Sequence, residues 1–206
     1  MYFIFSAIVV LCDQLLKYWV TTNIQVGETM SLIPGLLSLT YVQNTGVAFS
    51  FLSDMRFLII ALVAVCLIAL IIIMIKFKFS AFGMISLAAI LGGALGNLID
   101  RIVFGYVVDM FVIEFMNFAI FNIADIFITV GGIMFIIYYL FVYPRERRKI
   151  KTTVEEDVVQ PKEDLFDQSD NDIKIYEMDI KTDWTESEIL EEYWREQSGE
   201  DTTNEN

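Results

Sequence analysis

The sequence predicts an all-α integral membrane protein with four transmembrane helices and a small extracytoplasmic β-element on the outer membrane surface. Three observations predict it. First, 56% of the 206 residues are hydrophobic and the mean hydropathy is +0.57, above the roughly 45–50% apolar content of soluble domains. Second, the apolar runs 57–75, 80–99 and 123–142 each approach the roughly 20 helical residues that cross a hydrocarbon core of about 30 Å, and a fourth run, 2–20, is interrupted by Asp13 and Lys17. Third, the net charge of −13 is unevenly placed: residues 151–206 hold 5 basic and 19 acidic residues, a net of −14, which leaves +1 for residues 1–150. The acidity therefore belongs to a tail and says nothing about the partners of the membrane part.

Taken in order, run 2–20 lacks the preceding basic cluster of a signal peptide. Its Val9-Val10-Leu11-Cys12 stretch has Leu11 where a cleavage site needs a small residue, so it reads as a retained first span. The external segment 21–55 is partly apolar. Pro34-Gly35 marks a turn, and Leu37, Leu39 and Tyr41 alternate with Ser38 and Thr40, the pattern of a short strand with one apolar face. Lys76 and Lys78 fill the short turn between spans two and three, and Arg145, Arg147, Arg148 and Lys149 follow span four. Arg56, Arg101 and Lys17 fall on the other side, so the basic residues place both termini in the cytoplasm. Residues 151–206 lack a core-forming run and read as a disordered cytoplasmic tail, separate from the four-helix domain of residues 1–150. Within the tail, 184–197 has the pattern of a short acidic amphipathic helix with Trp184, Ile189, Leu190, Tyr193 and Trp194 on its apolar side.

Two absences limit the chemistry. The chain has no histidine, so neither a Ser-His or Cys-His nucleophile nor a His-ligated zinc site can be built. Cys12 and Cys66 lie inside apolar runs, as packing residues do, and two such residues do not make a metal cage. No metal, cofactor or nucleic-acid partner is expected. An enzyme made from this chain must work with carboxylates, lysine, amides and backbone.

The polar residues that remain converge on one face. On this topology Asp13 and Lys17 lie in the outer half of span one, and Asn44 in the first external loop. Asn97, Asp100 and Arg101 end span three, Asp109 sits in the second external loop, and Asn122 and Asp125 open span four. Ionisable residues in spans cost about 2.5–3.5 kcal/mol each on insertion scales, so they tend to be paired or functional. Each has a plain alternative. Asp13 and Lys17, at i and i+4, are an ion pair that offsets its own burial. Asn122 with Asp125 reads equally as a helix N-cap with an acid in the first turn. Asp100 and Arg101 read as boundary charges facing solvent or lipid, and Gly92, Gly93 and Gly96 with Ala88, Ala89 and Ala94 as a small-residue face for close packing.

The motifs in their order are more specific than any one of them. Asp13-Gln14-x-x-Lys17 is followed by Asn44-Thr45-Gly46-Val47-Ala48-Phe49 and by Gly93-Ala94-Leu95-Gly96-Asn97-Leu98-Ile99-Asp100-Arg101. Val107-Val108-Asp109 and Phe121-Asn122-Ile123-Ala124-Asp125 complete the series. This pattern, spread over residues 1–145, resembles the bacterial lipoprotein signal peptidases, or signal peptidase II. The resemblance implies an intramembrane aspartic endopeptidase of the bacterial cytoplasmic (inner) membrane, with its active site at the outer face. Such enzymes cleave diacylglyceryl-modified prolipoproteins just before the lipidated cysteine. It implies Asp109 and Asp125 as the catalytic pair, with Asp13, Lys17, Asn44, Gly46, Asn97, Arg101 and Asn122 at supporting positions. It further implies membrane lipids as surroundings and sensitivity to globomycin-type inhibitors. Met110 replaces the family's usual Phe, Ala119 a common Pro and Ile126 a common Ser. These departures touch packing and hydrogen bonding around the site more than the reaction.

The chemistry fits the residue types. Peptide hydrolysis without metal or covalent nucleophile needs a base to activate water and an acid to protonate the leaving nitrogen, and two close carboxylates sharing one proton supply both. Asn97 and Asn122 are placed to orient the pair, Arg101 to hold a loop carbonyl or carboxylate at the rim, and Asn44 with Gly46 to form a turn. Two other classes compete. A Ser-Lys peptidase would pair Lys17 with Ser50 or Ser53, without a motif that joins them. A small transporter would use Asp13, Asp109 and Asp125 as ion carriers, but the acids gather at one face instead of the midplane and no internal repeat is present.

Overall fold

The computed structural model describes residues 1–46, 56–77, 79–149 and 152. The expectations for the tail, including its 184–197 helix, and for Val47, Ala48, Phe49, Ser50, Ser53 and Lys78 lie outside the described residues. The four apolar runs become helices α1 (Tyr2–Asn23), α2 (Arg56–Lys76), α3 (Ala81–Val103) and α4 (Ile123–Ile137), the last continuing into a π-helical turn at Tyr138–Val142. All four segments are long and apolar enough to cross a membrane. α3 is the interior helix: 61% of its most apolar window is buried, against 11–28% for the other three.

Small residues put α3 there, though not as one face. A Cβ added at Gly92 would lie 2.7 Å from the Ser6 carbonyl oxygen, and one at Gly96 2.5 Å from Asp13 Oδ2, so both glycines admit α1. A Cβ at Gly93 would strike the Ala124 carbonyl, so this glycine admits α4. Ala88 and Ala94 instead join the apolar cluster that receives Leu67 and Met74 of α2. Close backbone approach on two sides is what small residues allow in helix pairs within lipid. Cys12 and Cys66 are exposed on the outward sides of α1 and α2, not packed inside as their apolar context suggested.

The β-element is larger than the single strand expected. Strands β1 (Thr29–Ile33), β2 (Leu37–Asn44) and β3 (Val107–Ile113) form an antiparallel sheet in the order β1-β2-β3. The β1–β2 turn contains Gly35 at φ +75°, a left-handed position that suits glycine. Asp109 is therefore on a strand and not in a loop, because β3 pairs along β2 from Leu37↔Ile113 to Asn44↔Val107. β2 lacks the polar face expected of it. Ser38 and Thr40 are buried with Leu39 and Tyr41, Thr40 bonding the Glu28 carbonyl at 2.8 Å and Ser38 the Glu114 carboxylate. Leu39, Tyr41, Val108 and Met110 pack on Val20 and Ile24 at the C-terminal end of α1, which fastens the sheet to the helices.

The chain divides into two compact units, Met1–Tyr139 and Leu140–Asn206. The described part of the second carries the basic cluster after span four, where Arg147 lies 5.8 Å from the centre of the Tyr143 ring.

Candidate active site

Five segments deliver polar side chains to one end of the helices, beside the sheet. The decisive local feature is how the chain enters α4. Phe121 bridges to β3, its carbonyl accepting from the backbone of Met110 at 3.0 Å and Phe111 at 2.8 Å. That bridge sets the next residue, Asn122, beside Asp109. Asn122 is the extended N-cap of α4, and its Oδ1 accepts from Asp125 N at 2.9 Å while Asp125 Oδ2 accepts from Asn122 N at 3.1 Å. This reciprocal capping box satisfies donors that a helix start leaves open. The amide of the same side chain remains free to donate, and it reaches Asp109 Oδ1 at 2.7 Å and Asn97 Oδ1 at 3.1 Å. The cap and the bridge between the two carboxylates are one residue.

Each carboxylate is then held from its other side. Asp109 Oδ2 accepts from Asn44 Nδ2 at 2.7 Å, and Asp125 Oδ1 from Asn97 Nδ2 at 2.8 Å. Asn44 Oδ1 accepts from Gly46 N at 2.9 Å, with Gly46 at φ +83°, which forms the turn expected there. Asp109 is 3% exposed and Asn122 wholly buried, whereas Asp125 is half-buried, so the pair opens on the Asp125 side. Burial pushes the Asp109 carboxyl above the ordinary carboxylate range, and the charge of Asp125 adds to this. The bonds from Asn44 and Asn122 and the charge of Lys17 pull the other way.

A second layer, with Asp13, Lys17 and Asp100 buried, supports the first. Lys17 Nζ meets Asp13 Oδ2 at 2.7 Å, Asp100 Oδ2 at 2.9 Å and Asn97 Oδ1 at 2.9 Å, one acceptor for each of its three protons. The two acids reach onward to the backbone beside Asp125 and Asp109. Asp13 Oδ1 accepts from Ala124 N at 2.9 Å, next to Asp125, and Asp100 Oδ2 from Val108 N at 3.1 Å, next to Asp109. Gln14 Nε2 ties the acids together, reaching Asp100 Oδ1 at 2.9 Å, Gly96 O at 3.2 Å and Asp13 Oδ2 at 3.3 Å. A lysine bonded on all sides is no general base, which removes the Ser-Lys reading.

Two expectations need correction. Asp100 is not a solvated boundary charge but wholly buried, because the sheet and α1 close over the end of α3. Its spacing of three from Asn97 puts both on the α3 side that meets α1, which is the signal that could have assigned it. Arg101 bonds the Asn97 carbonyl of its own helix at 3.3 Å rather than a loop carbonyl or carboxylate, although its charge is within electrostatic reach of Asp125, Asp109 and Asp100. The cation that meets the carbonyls at the end of α3 is Arg56, which bonds those of Arg101 and Ile102. Of the three departures, Met110 is fully buried in the cluster under the sheet and so fills core volume, while Ala119 and Ile126 are exposed.

The sequence matches the family model described as signal peptidase (SPase) II over residues 5–141. The chain belongs to the signal peptidase II family. Among curated relatives, the lipoprotein signal peptidase of Enterococcus faecalis (strain ATCC 700802 / V583) is 44% identical over 140 residues, covering 68% of this chain and 87% of the relative. That of Lactobacillus johnsonii (strain CNCM I-12250 / La1 / NCC 533) is 40% identical over 148 residues, covering 71% and 96%. A bacterial membrane enzyme structure determined by the in meso method at 1.9 Å resolution superposes with a TM-score of 0.66 at 34% identity, covering 68% of this chain and 93% of that one. The matched region takes in every residue of the two polar layers, from Asp13 to Asp125. This member of the signal peptidase II family is thus a multi-pass membrane peptidase whose buried charged residues and amides gather at one end of its helices.

Proposed function

We propose that Asp109 and Asp125 are the catalytic pair that hydrolyses the peptide bond just before the diacylglyceryl-modified cysteine of a prolipoprotein. The activity itself, removal of signal peptides from lipoproteins during their maturation, follows from membership of the signal peptidase II family. The observation that carries the assignment is Asn122. It holds one carboxylate through its side-chain amide and the other through its cap, so that a single residue brings the two acids together.

In the reaction, one carboxylate takes a proton from water as the water oxygen attacks the scissile carbonyl carbon. The other, protonated, gives its proton to the departing nitrogen as the C–N bond breaks. The products are the signal peptide with a free carboxylate and a chain beginning with the lipidated cysteine. The raised proton affinity of Asp109 supports it as the group that carries the shared proton. Asn97 and Asn122 orient the pair, Asn44 and Gly46 hold Asp109 from the sheet side, and Asp13, Lys17 and Arg101 fix the surroundings. The dyad lies at the outer face of the bacterial inner membrane in this account, with both termini cytoplasmic. There the acyl chains stay among the membrane lipids while the scissile bond reaches water. Globomycin-type inhibitors would occupy the same face.

The role of Asn44 has its own test. Its bond favours the ionised form of Asp109, so Asn44→Ala raises that carboxyl's proton affinity further. Because activity requires the shared proton, the alkaline limb of the kcat/KM profile is expected to move to higher pH. A limb that stays in place or moves to lower pH removes Asn44 from this role.

The tail is expected to be dispensable for chemistry. The family match ends at residue 141, and the basic cluster that fixes orientation precedes the tail. Deleting residues 152–206 should leave turnover of a lipidated substrate, normalised to inserted protein, essentially unchanged. A loss beyond about tenfold, or about 1.4 kcal/mol of barrier, would show that the tail supports the active fold.

A further inference from the structure

Arg56 stands first in α2 and matches none of the motifs above, yet it makes the polar tie between α2 and the site. Its Nε donates to the Arg101 carbonyl at 3.0 Å and its Nη2 to the Ile102 carbonyl at 2.8 Å. These carbonyls belong to the last turn of α3, where helical oxygens lack intrahelical partners and a cation is favoured. The guanidinium lies flat against the turn that follows. A Cβ built on Gly105 would lie 2.9 Å from Arg56 Nη1 and 3.1 Å from Cζ, and Gly105 sits at φ +89°. Glycine is thus required there twice, for its backbone angle and for the space Arg56 fills.

That turn connects two functional stretches. Behind it are Asn97, Asp100 and Arg101; ahead of it β3 begins at Val107, whose neighbour Val108 is pinned to Asp100 just before Asp109. Among the described residues, α2 otherwise meets α3 through an apolar cluster that runs from Ile60 and Val63 to Leu67 and Met74. Arg56 also borders a cleft of about 300 Å³ with Thr45, Ile59, Arg101 and Tyr106, so it faces open space beside the site and not the lipid-facing sides of the helices.

We propose that Arg56 is a positioning residue of this peptidase: by gripping the last carbonyls of α3 and the Gly105 turn, it sets the placement of Arg101 and of the strand that carries Asp109. The proposal rests on the reading of Asp109 as a reacting carboxylate. A planar guanidinium bonding two adjacent carbonyls is a geometry that an ammonium does not reproduce, and small misplacements of reacting groups are costly in rate.

The test is a cycle on kcat and KM, using full-length protein, a lipidated prolipoprotein and normalisation to monodisperse protein. Arg56→Ala is expected to lower kcat by about tenfold with KM changed by less than about twofold. Arg56→Lys should recover only part of the loss, and it keeps the test open if the alanine variant folds poorly. Gly105→Ala should lower kcat on its own, because its methyl displaces the guanidinium. In the Arg56→Ala background the same change should cost less. Unchanged kcat in Arg56→Ala, full recovery by Arg56→Lys, or losses that multiply in the double variant would each overturn the proposal. Retained activity in Asp109→Asn would instead overturn the carboxylate assignment, while the Arg56–Gly105 cycle would still report whether the two residues act as one.

Discussion

Replacing Asp109 or Asp125 by Asn is expected to lower turnover of a diacylated prolipoprotein by at least about 100-fold, within the 10²–10⁴ range of lost general acid–base catalysis. The carboxamide neither accepts the proton of the attacking water nor passes one to the leaving nitrogen. The supports should survive the change. In Asp125→Asn, Oδ1 can still accept one of the bonds now made by Asn97 Nδ2 and the Asn122 backbone. In Asp109→Asn the new amide meets a donor on one side, and the exposed Asn44 is the partner able to turn. Both proteins should therefore insert and elute as wild type does, and a variant that keeps more than about a tenth of the activity is not a catalytic one.

The largest loss of stability is expected from Lys17→Met. Lys17 is 3% exposed and stands between two wholly buried acids, so its removal leaves Asp13 and Asp100 facing each other without a cation. Breaking a buried ion pair by deleting one member costs about 3–5 kcal/mol, because the partner's charge stays behind. Asp13→Asn should cost less. Asp100 still neutralises the lysine, and an Asn side-chain oxygen can still accept from Ala124 N. The double change Lys17→Met with Asp13→Asn leaves Asp100 unpaired and should recover only part of the loss. Adding Asp100→Asn should recover more. Thermal unfolding in detergent reads this order, and a Lys17→Met protein as stable as wild type would mean that the lysine does not hold the acids together.

Much of this arrangement was legible in the sequence. Apolar runs of span length gave the four helices, since in lipid only length and hydropathy are needed to commit a segment to helix. The acids and amides could be assigned to one face because they fall at alternate span ends. The sheet was only partly legible. Leu37 to Tyr41 alternates, but Val107 to Ile113 is apolar except for Asp109, and β3 becomes a strand through its pairing with β2 and the Phe121 bridge. The burial of Ser38 and Thr40 does not follow from the alternation, because their partners, Glu114 and the Glu28 carbonyl, are set by folding and not by spacing. Asp100 was misjudged for the same reason: local context describes a helix end, and only the closure of α1 and β3 over it shows a buried acid. Arg56 carried no motif, and its partners are backbone carbonyls that any sequence offers.

The claim at the centre of this account is that Asp109 and Asp125 work as one unit, and a double-mutant cycle on the chemical step tests it most directly. Asp109→Asn, Asp125→Asn and the double variant are compared in single turnovers with enzyme in excess over one lipidated prolipoprotein. Residues that act together give losses that do not multiply. The account predicts that each single variant loses at least about 100-fold and that the double variant is about as slow as the slower single one. Losses that multiply in the double variant, or a single variant cleaving at a rate comparable to wild type, would contradict it.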